Sequence, residues 1–359
     1  MTKTSIYDMA GMERLQRERR FDPHALRRLR TAFFKHFDSD EQALACFPAC
    51  DHIRPHPLAL DSRHDSQLDG ATKLLFRTDT NMLIESVLLR IASGRTTLCV
   101  SSQVGCAAAC DFCATGKMGI AQNLSPAEIC DQVLQAGQIL APEGRSLRNV
   151  VFMGMGEPFH NEENLYSALE LLTSPQIFHI SPAKILVSSV GIPDAMLRCA
   201  RRYPQVNLAL SLHSVRQETR ECLIPLAKRY PLDRLQVTLR QVNALQSRPV
   251  MIEYLMLAGV NDSLDEACEL VTWLDGLNVH LNLIPYNAVD DAPHLVGTAK
   301  PDREAFAAVL KKAGITTTIR YSLGGDIAAA CGQLVRKENR QLKIEQVAPL
   351  QASGFSHRK

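Results

Sequence analysis

A chain of 359 residues, 46% hydrophobic and 22% charged, carries enough apolar side chains for a large core and suits one big α/β domain with an appendage. Its N-terminus is charged and no run is apolar for long enough to span a bilayer, so neither a secretory leader nor a membrane segment is expected, and the cytoplasm is the expected compartment. A net charge of +2 excludes a chain that grips nucleic acid by bulk charge, and eleven cysteines, an odd number, fit a reduced interior with metal-bound or catalytic thiols better than a disulfide framework.

The first predicted element is a helix over residues 22–37, with Asp22 as N-cap, Pro23 in the first turn, and Leu26, Leu29, Phe33 and Phe37 along one stripe. Its other face carries Arg27, Arg28, Arg30 and Lys35, and Arg14, Arg17, Arg19 and Arg20 precede it. These read either as an ordinary solvated face or as contacts to RNA phosphates. Residues 51–70 are polar and Pro-rich and read as a linker. TKLLFR, MLIESVLLR and TTLCVSS follow as a β-meander. From Thr96 onward six short apolar runs, TTLCVSS, NVVFMG, AKILVSS, VNLALSLH, VMIEYLML and VHLNLIPYN, alternate with helix-length amphipathic segments. Such alternation predicts a parallel, barrel-like sheet, and polar residues just after its strands belong to the active end. The chain thus divides into an N-terminal accessory region (1–65), a β-hairpin connector (66–95), a core (96–334) and a polar, aperiodic tail (335–359) expected to be mobile.

Cys106, Cys110 and Cys113 lie together in the loop after the first barrel strand. A structural zinc site wants four ligands, usually in paired knuckles, and no second C-x-x-C pair is present; a ferredoxin-type cluster is likewise held by four cysteines. Three thiolates on a four-iron, four-sulfur cube leave one iron open to a substrate, and the spacing with Phe112 resembles the radical S-adenosylmethionine signature. In GMGEP, Gly154 and Gly156 permit close backbone approach and Glu157 offers a carboxylate to a substrate ammonium. Ser188, Ser211, His213 and Asn287 follow strands and offer hydroxyl, imidazole and amide partners. Each alone is as readily an ordinary barrel residue. Glu85 stands in an apolar run, where a carboxylate is costly to bury unless paired or functional. Cys46, Cys50, Cys130, Cys199, Cys222 and Cys268 mostly read as core fillers, and CFPAC is a weak metal pair.

CVSSQVGCAAACDFCATGKMG, VVFMGMGEP, LALSLH, VNDS, NLIPYN and DIAAACGQL, in this order between about Glu85 and Leu334, resemble the RlmN/Cfr family of radical S-adenosylmethionine RNA adenine methyltransferases. The resemblance implies a partial (β/α)6 radical SAM barrel with a small N-terminal helical accessory domain and a β-hairpin extension. It implies that Cys106, Cys110 and Cys113 hold one [4Fe-4S] cluster and that Gly156, Glu157, Ser188, Ser211, Leu212, His213 and Asn287 line the S-adenosylmethionine site. Cys331 would carry the methyl group, with Cys99 and Glu85 serving later steps. The chemistry explains the thiols: the amidine carbons of adenine are poor nucleophiles, and a thiolate can take the methyl group that they cannot. A second donor molecule then activates that methyl for addition to the ring, Glu85 removes the ring proton, and Cys99 releases the product as a transient disulfide forms. The implied partners are an RNA substrate, 23S rRNA, and an electron donor such as flavodoxin or ferredoxin; the implied state is a monomer. Pro158 after GMGE is like the branch acting on carbon 2, whereas YSLGGDIAAACGQL departs from the RGDD-type ending usual there, so carbon 2 and carbon 8 both stand. A radical activase of a partner protein would also use the triad but gives Cys99 and Cys331 no task, and a non-catalytic iron-sulfur or RNA-binding protein would yield no 5′-deoxyadenosine.

Overall fold

The computed structural model describes residues 3–45, 47–119, 121–334 and 339. Three helices open the chain, α1 (Met9–Arg19), α2 (Pro23–Thr31) and α3 (Asp40–Ala45). The α2 start is the one the sequence predicts: the Asp22 carboxylate accepts from the His24 N–H at 2.9 Å. Leu26, Leu29 and Phe33 are buried, and the helix runs on through a π-turn, Ala32–His36, to Phe37 at φ 55°.

One ten-stranded sheet follows. β1 (Ala59–Asp65), β2 (Ala71–Arg77), β3 (Leu83–Arg90) and β4 (Thr96–Cys99) pair antiparallel in turn. β1 corrects the linker reading of residues 51–70. Nearly all of its side chains are exposed on both faces, so no alternation marks it, and polar residues are what an edge strand uses against mispairing. From β4 the pairing turns parallel through β5 (Asn149–Phe152), β6 (Ile185–Ser189), β7 (Asn207–Ser211), β8 (Val250–Met256), β9 (Val279–Pro285) and β10 (Thr317–Ile319). The six expected strands are there. β10 is a seventh, too short at three residues to show a period. The order has two free ends, β1 and β10, as a partial barrel requires.

Helices α4 (Pro126–Leu140), α5 (Glu162–Thr173), α6 (Pro193–Arg202), α7 (Gln217–Leu223), α8 (Leu232–Leu245), α9 (Leu264–Trp273) and α10 (Lys300–Lys312) make the crossovers. Ser125 and Glu128 form a capping box at the α4 start, which satisfies two otherwise orphaned donors. On α4, the fully buried Asp131 accepts from Tyr7 Oη (2.9 Å), Leu58 N (3.0 Å) and Gln135 Nε2 (3.0 Å) and pairs with His56 Nδ1 (2.7 Å). His56 Nε2 in turn meets Asp40 at 2.8 Å. A Cβ at Gly137 would stand 2.1 Å from the Phe37 ring, so a glycine inside α4 lets the N-terminal helices dock. One apolar cluster runs from Ile6 to Leu334.

Cys130 and Cys199 fill the core as expected, whereas Cys50, Cys222 and Cys268 are exposed; on short amphipathic helices a small side chain does not reveal its face. Cys46 and, Asn339 excepted, the tail lie outside the described residues. Among the described residues no helix is long and apolar enough to cross a membrane.

Candidate active site

The loop carrying the three clustered cysteines leaves β4 through a short ladder, Gln103–Gly105 against Ala121–Asn123. Cys110 shares an apolar cluster with Leu223, Ile224 and Ala227, and the Asp111 N–H donates to Leu223 O at 2.9 Å, so the end of α7 backs the loop. Cys106, Cys110 and Cys113 line one cavity at the C-terminal strand ends, together with Gly156, Glu157, Ser188, Ser211, His213 and Cys331. Of the residues singled out from sequence, Cys99, Glu85, Leu212 and Asn287 stand elsewhere.

Burial pushes the Cys106 thiol up to about 12, and burial with the neighbouring Cys113 and Cys106 sulfurs pushes Cys110 well above the ordinary thiol value. Such thiols stay protonated until a metal centre displaces the protons. Among the described residues no three His, Cys, Asp or Glu side chains converge to hold a single metal ion. A four-iron cube makes a different demand, one thiolate to each iron, and the donor set, three sulfurs on one cavity, suits it. Arg220 behind the loop is a buried cation whose Nη1 has no hydrogen-bond partner, which also suits an anionic group at this place.

Glu157 is 3% exposed, and its two oxygens accept from Phe159 N (3.1 Å) and Val190 N (2.9 Å). Burial raises its pKa to about 7 against the pull of those N–H groups. A carboxyl so poised gains from an arriving cation. Gly156 sits at φ 100°, and a Cβ there would be 2.6 Å from Gln103 Cβ, while one at Gly154 would be 2.7 Å from the Val100 carbonyl; the close approach that GMGEP permits is to the end of β4 and the ladder strand after it. His213, at φ 60°, accepts the Leu255 N–H on Nδ1 at 3.0 Å, which places its ring proton on Nε2. Burial, with Arg220 adding to it, lowers its pKa to about 3, so the ring is neutral, and it meets Phe112 edge to face at 4.7 Å. Phe112 of the cysteine motif therefore steadies the histidine of LALSLH.

The Leu212 side chain is fully buried; its N–H donates to Glu253 O (3.0 Å) and its carbonyl accepts from Arg220 Nε (3.1 Å). Asn287 donates to Cys331 O at 3.2 Å, and the Ala114 N–H to Gly332 O at 2.8 Å. These two bonds fasten the Cys331 loop beside the cysteine motif.

A second cavity, about 870 Å³, occupies the barrel interior, a size usual for ligand pockets. Cys99 lines this cavity alone, whereas Cys331 and Arg320 line both. Cys331 keeps accessible surface although the cavity walls enclose it. Burial and then Cys331 raise Cys99 to about 12, and Arg320 opposes the rise in both thiols. Arg320 is paired with the buried Glu253 at 3.7 Å. Glu85, 1% exposed, lines neither cavity. It shares a sheet face with Val87, which pairs with Cys99, and it meets Lys73 Nζ at 3.6 Å; that ammonium also donates to Ala328 O at 3.3 Å.

Sequence reading missed Arg220, Glu253, Asn261 and Arg320. Asn261, fully buried in VNDS, donates to His213 O and Leu255 O, both at 2.6 Å, and accepts from Leu257 N at 2.8 Å, locking the ends of β7 and β8. Glu253 gave the signal that singled out Glu85, a carboxylate in an apolar run. Arg220, amid charged neighbours, reads as exposed.

Residues 100–271 match the Radical SAM superfamily. A probable RNA methyltransferase of Rhodopirellula baltica is 59% identical over 95% of this chain and 90% of its own length. A probable dual-specificity RNA methyltransferase RlmN of Thermus thermophilus is 43% identical over 77% of each chain, and the ribosomal RNA large subunit methyltransferase Cfr of Staphylococcus aureus is 43% identical over 74% of this chain and 76% of its own. The crystal structure of a radical SAM methyltransferase from Sphaerobacter thermophilus superposes with a TM-score of 0.87 at 36% identity, covering 92% of this chain and 99% of that one.

Proposed function

Because this chain belongs to the RlmN/Cfr family of radical S-adenosylmethionine RNA methyltransferases, we propose that it methylates carbon 2 or carbon 8 of an adenosine in 23S rRNA through a methylated Cys331. The family brings S-adenosylmethionine and a [4Fe-4S] cluster; the finer reading adds two donor molecules per methyl, a flavodoxin- or ferredoxin-like reductant, and a monomer working in the cytoplasm. Residues 96–334 would form the catalytic core, with 1–65 as accessory domain and 66–95 as connector.

The observation that carries this reading is that Cys331 faces both cavities. Cys106, Cys110 and Cys113 would hold the cluster, which supplies the electron that breaks the donor's carbon–sulfur bond. Glu157 receives the donor's ammonium, and Ser188, Ser211 and His213 offer it polar contacts. With Arg320 favouring its thiolate, Cys331 displaces the methyl group from the first donor's sulfonium. The methyl then stands on a sulfur that also opens into the barrel, where the adenine is to be placed. After a second donor molecule, cleaved by that electron, has taken one hydrogen atom from the methyl and its carbon has joined the ring, the adduct gives the electron back and Glu85 takes the ring proton; Cys99 then attacks the Cys331 sulfur, and the carbon that leaves picks up a proton, freeing the methylated RNA as a disulfide forms.

RNA has a route to that sulfur. Arg95, Lys184 and Arg248 stand just before β4, β6 and β8 and line the barrel cavity, whose described lining holds no carboxylate; among the described residues they form no ion pair. The basic face of α2 is less free: Arg28 pairs with Asp22 (3.6 Å), Arg30 with Glu13 (3.5 Å), and Lys35 donates to Pro175 O. An adenosine flipped from its stack would pass this mouth, with the phosphates on the cations.

Reduced, cluster-loaded protein given methyl-labelled donor and 23S rRNA should yield a C-methyladenosine that mass spectrometry locates. Cys99→Ala should accumulate a covalent RNA–protein adduct, and Cys331→Ala should transfer no methyl while still assembling the cluster. A fully active Cys331→Ala enzyme would sink the scheme.

A further inference from the structure

Arg220 is fully buried on α7. Two of its nitrogens are spent on the ends of the barrel strands: Nε donates to Leu212 O at 3.1 Å, and Nη2 to Val190 O at 2.6 Å and to Ser211 O at 3.5 Å. These bonds bind the turn after β6 to the end of β7. The third, Nη1, is buried with no hydrogen-bond partner, and no carboxylate pairs with the side chain among the described residues. A guanidinium does not shed its charge, so its free N–H marks a place where an anion belongs.

The end of α7 packs against Cys110: Leu223, Ile224 and Ala227 share an apolar cluster with that cysteine, and Asp111 N donates to Leu223 O at 2.9 Å. Val190, whose carbonyl Arg220 holds, packs against that same cluster. As a neutral thiol Cys110 is a weak acceptor; as a metal-bound thiolate it is a good one.

We propose that Arg220 is a positioning residue that donates Nη1–H to the Cys110 thiolate in the cluster-loaded protein and thereby raises the cluster's reduction potential. Reduction adds negative charge to the cluster, and a cation with an N–H aimed at a ligand sulfur favours that state; hydrogen bonds to sulfur are one of the levers that set such potentials. The same guanidinium holds the carbonyls of Val190, Ser211 and Leu212, so one side chain links the poise of the cluster to the strand ends that face the donor. The inference rests on the radical S-adenosylmethionine reading of the cavity.

The test is an EPR-monitored redox titration of the cluster-loaded full chain, with electron-nuclear double resonance of the reduced cluster in H2O and D2O. The wild-type protein should show an exchangeable proton coupled to the cluster. Arg220→Gln should lose that coupling and shift the midpoint to more negative potential, and Arg220→Lys, which keeps the charge, should shift it less. A wild-type cluster without an exchangeable coupled proton overturns the proposal, even where Arg220→Gln fails to hold a cluster; so does a variant with unchanged potential and coupling. A wild-type chain that takes up no cluster overturns both this proposal and the reading beneath it, whereas a cluster that cleaves donor but ignores Arg220 overturns this one alone.

Discussion

Glu157 shows how one side chain couples the site to pH. Burial lifts it from an ordinary carboxyl to about 7. Folded protein therefore binds a proton on it between about 4.5 and 7, a window in which the unfolded chain has released it. Raising the pH through that window charges a buried group and removes stability, unless a cation arrives to meet it. Donor binding should accordingly weaken below pH 7, approaching tenfold per pH unit well below the pKa, while Glu157→Gln binds weakly with no such slope. Calorimetric titration of S-adenosylmethionine between pH 6 and 8 distinguishes them, and a wild-type affinity flat across that range would discard the ammonium role. At this scale the sequence told much. GMGEP and LALSLH follow strands, and Glu157 and His213 line the cavity at the strand ends. It could not tell that Leu212 points into the core and that Asn287 holds the Cys331 loop, because side-chain direction depends on neighbours far away in the chain. Glu253 was legible by the rule that found Glu85.

Between elements, the N-terminal helices are fixed to α4 by a charge cluster centred on His56. Burial opposes its charge, but Asp131 and Asp40 on either side outweigh that and raise it to about 9. A base raised above its unfolded value of 6.5 contributes stability that is complete below about pH 6.5 and is lost as pH climbs through 9. The size is on the order of 3 kcal/mol at most. Urea denaturation of wild type should show stability falling between pH 6.5 and 9.5, and His56→Gln should be weaker at pH 6.5 and lack that fall. Equal pH slopes for the two proteins would show that the histidine carries no charge there. The α2 start and the β/α alternation were readable because caps and apolar periods are local. β1 and β10 were not, one being polar on both faces and the other three residues long; each exists through pairing with a neighbour, which no local pattern records.

At the scale of the whole molecule, the curl of an open sheet brings Cys99 and Cys331 from opposite ends of the core to one interior cavity, and the same curl gathers at the opposite mouth Arg95, Lys184 and Arg248, which form no ion pair among the described residues. In the proposed reaction donor and RNA would approach the Cys331 sulfur from different ends, so that neither has to leave for the other to enter. If phosphates dock at that mouth, replacing Arg95, Lys184 and Arg248 together by Gln should lower the salt dependence of RNA binding, by about 0.7 per lost contact and so about 2 in the slope of log K against log salt. Methyl loading of Cys331, a step on the cofactor side, should be unchanged in that variant. Replacing Arg27, Arg28 and Lys35 should move the slope far less, since two of these three are already engaged within the chain. Fluorescence anisotropy with an rRNA fragment across a salt series gives both slopes. The opposite ranking would make the helical face of the accessory region the RNA contact and leave the barrel mouth to another anion.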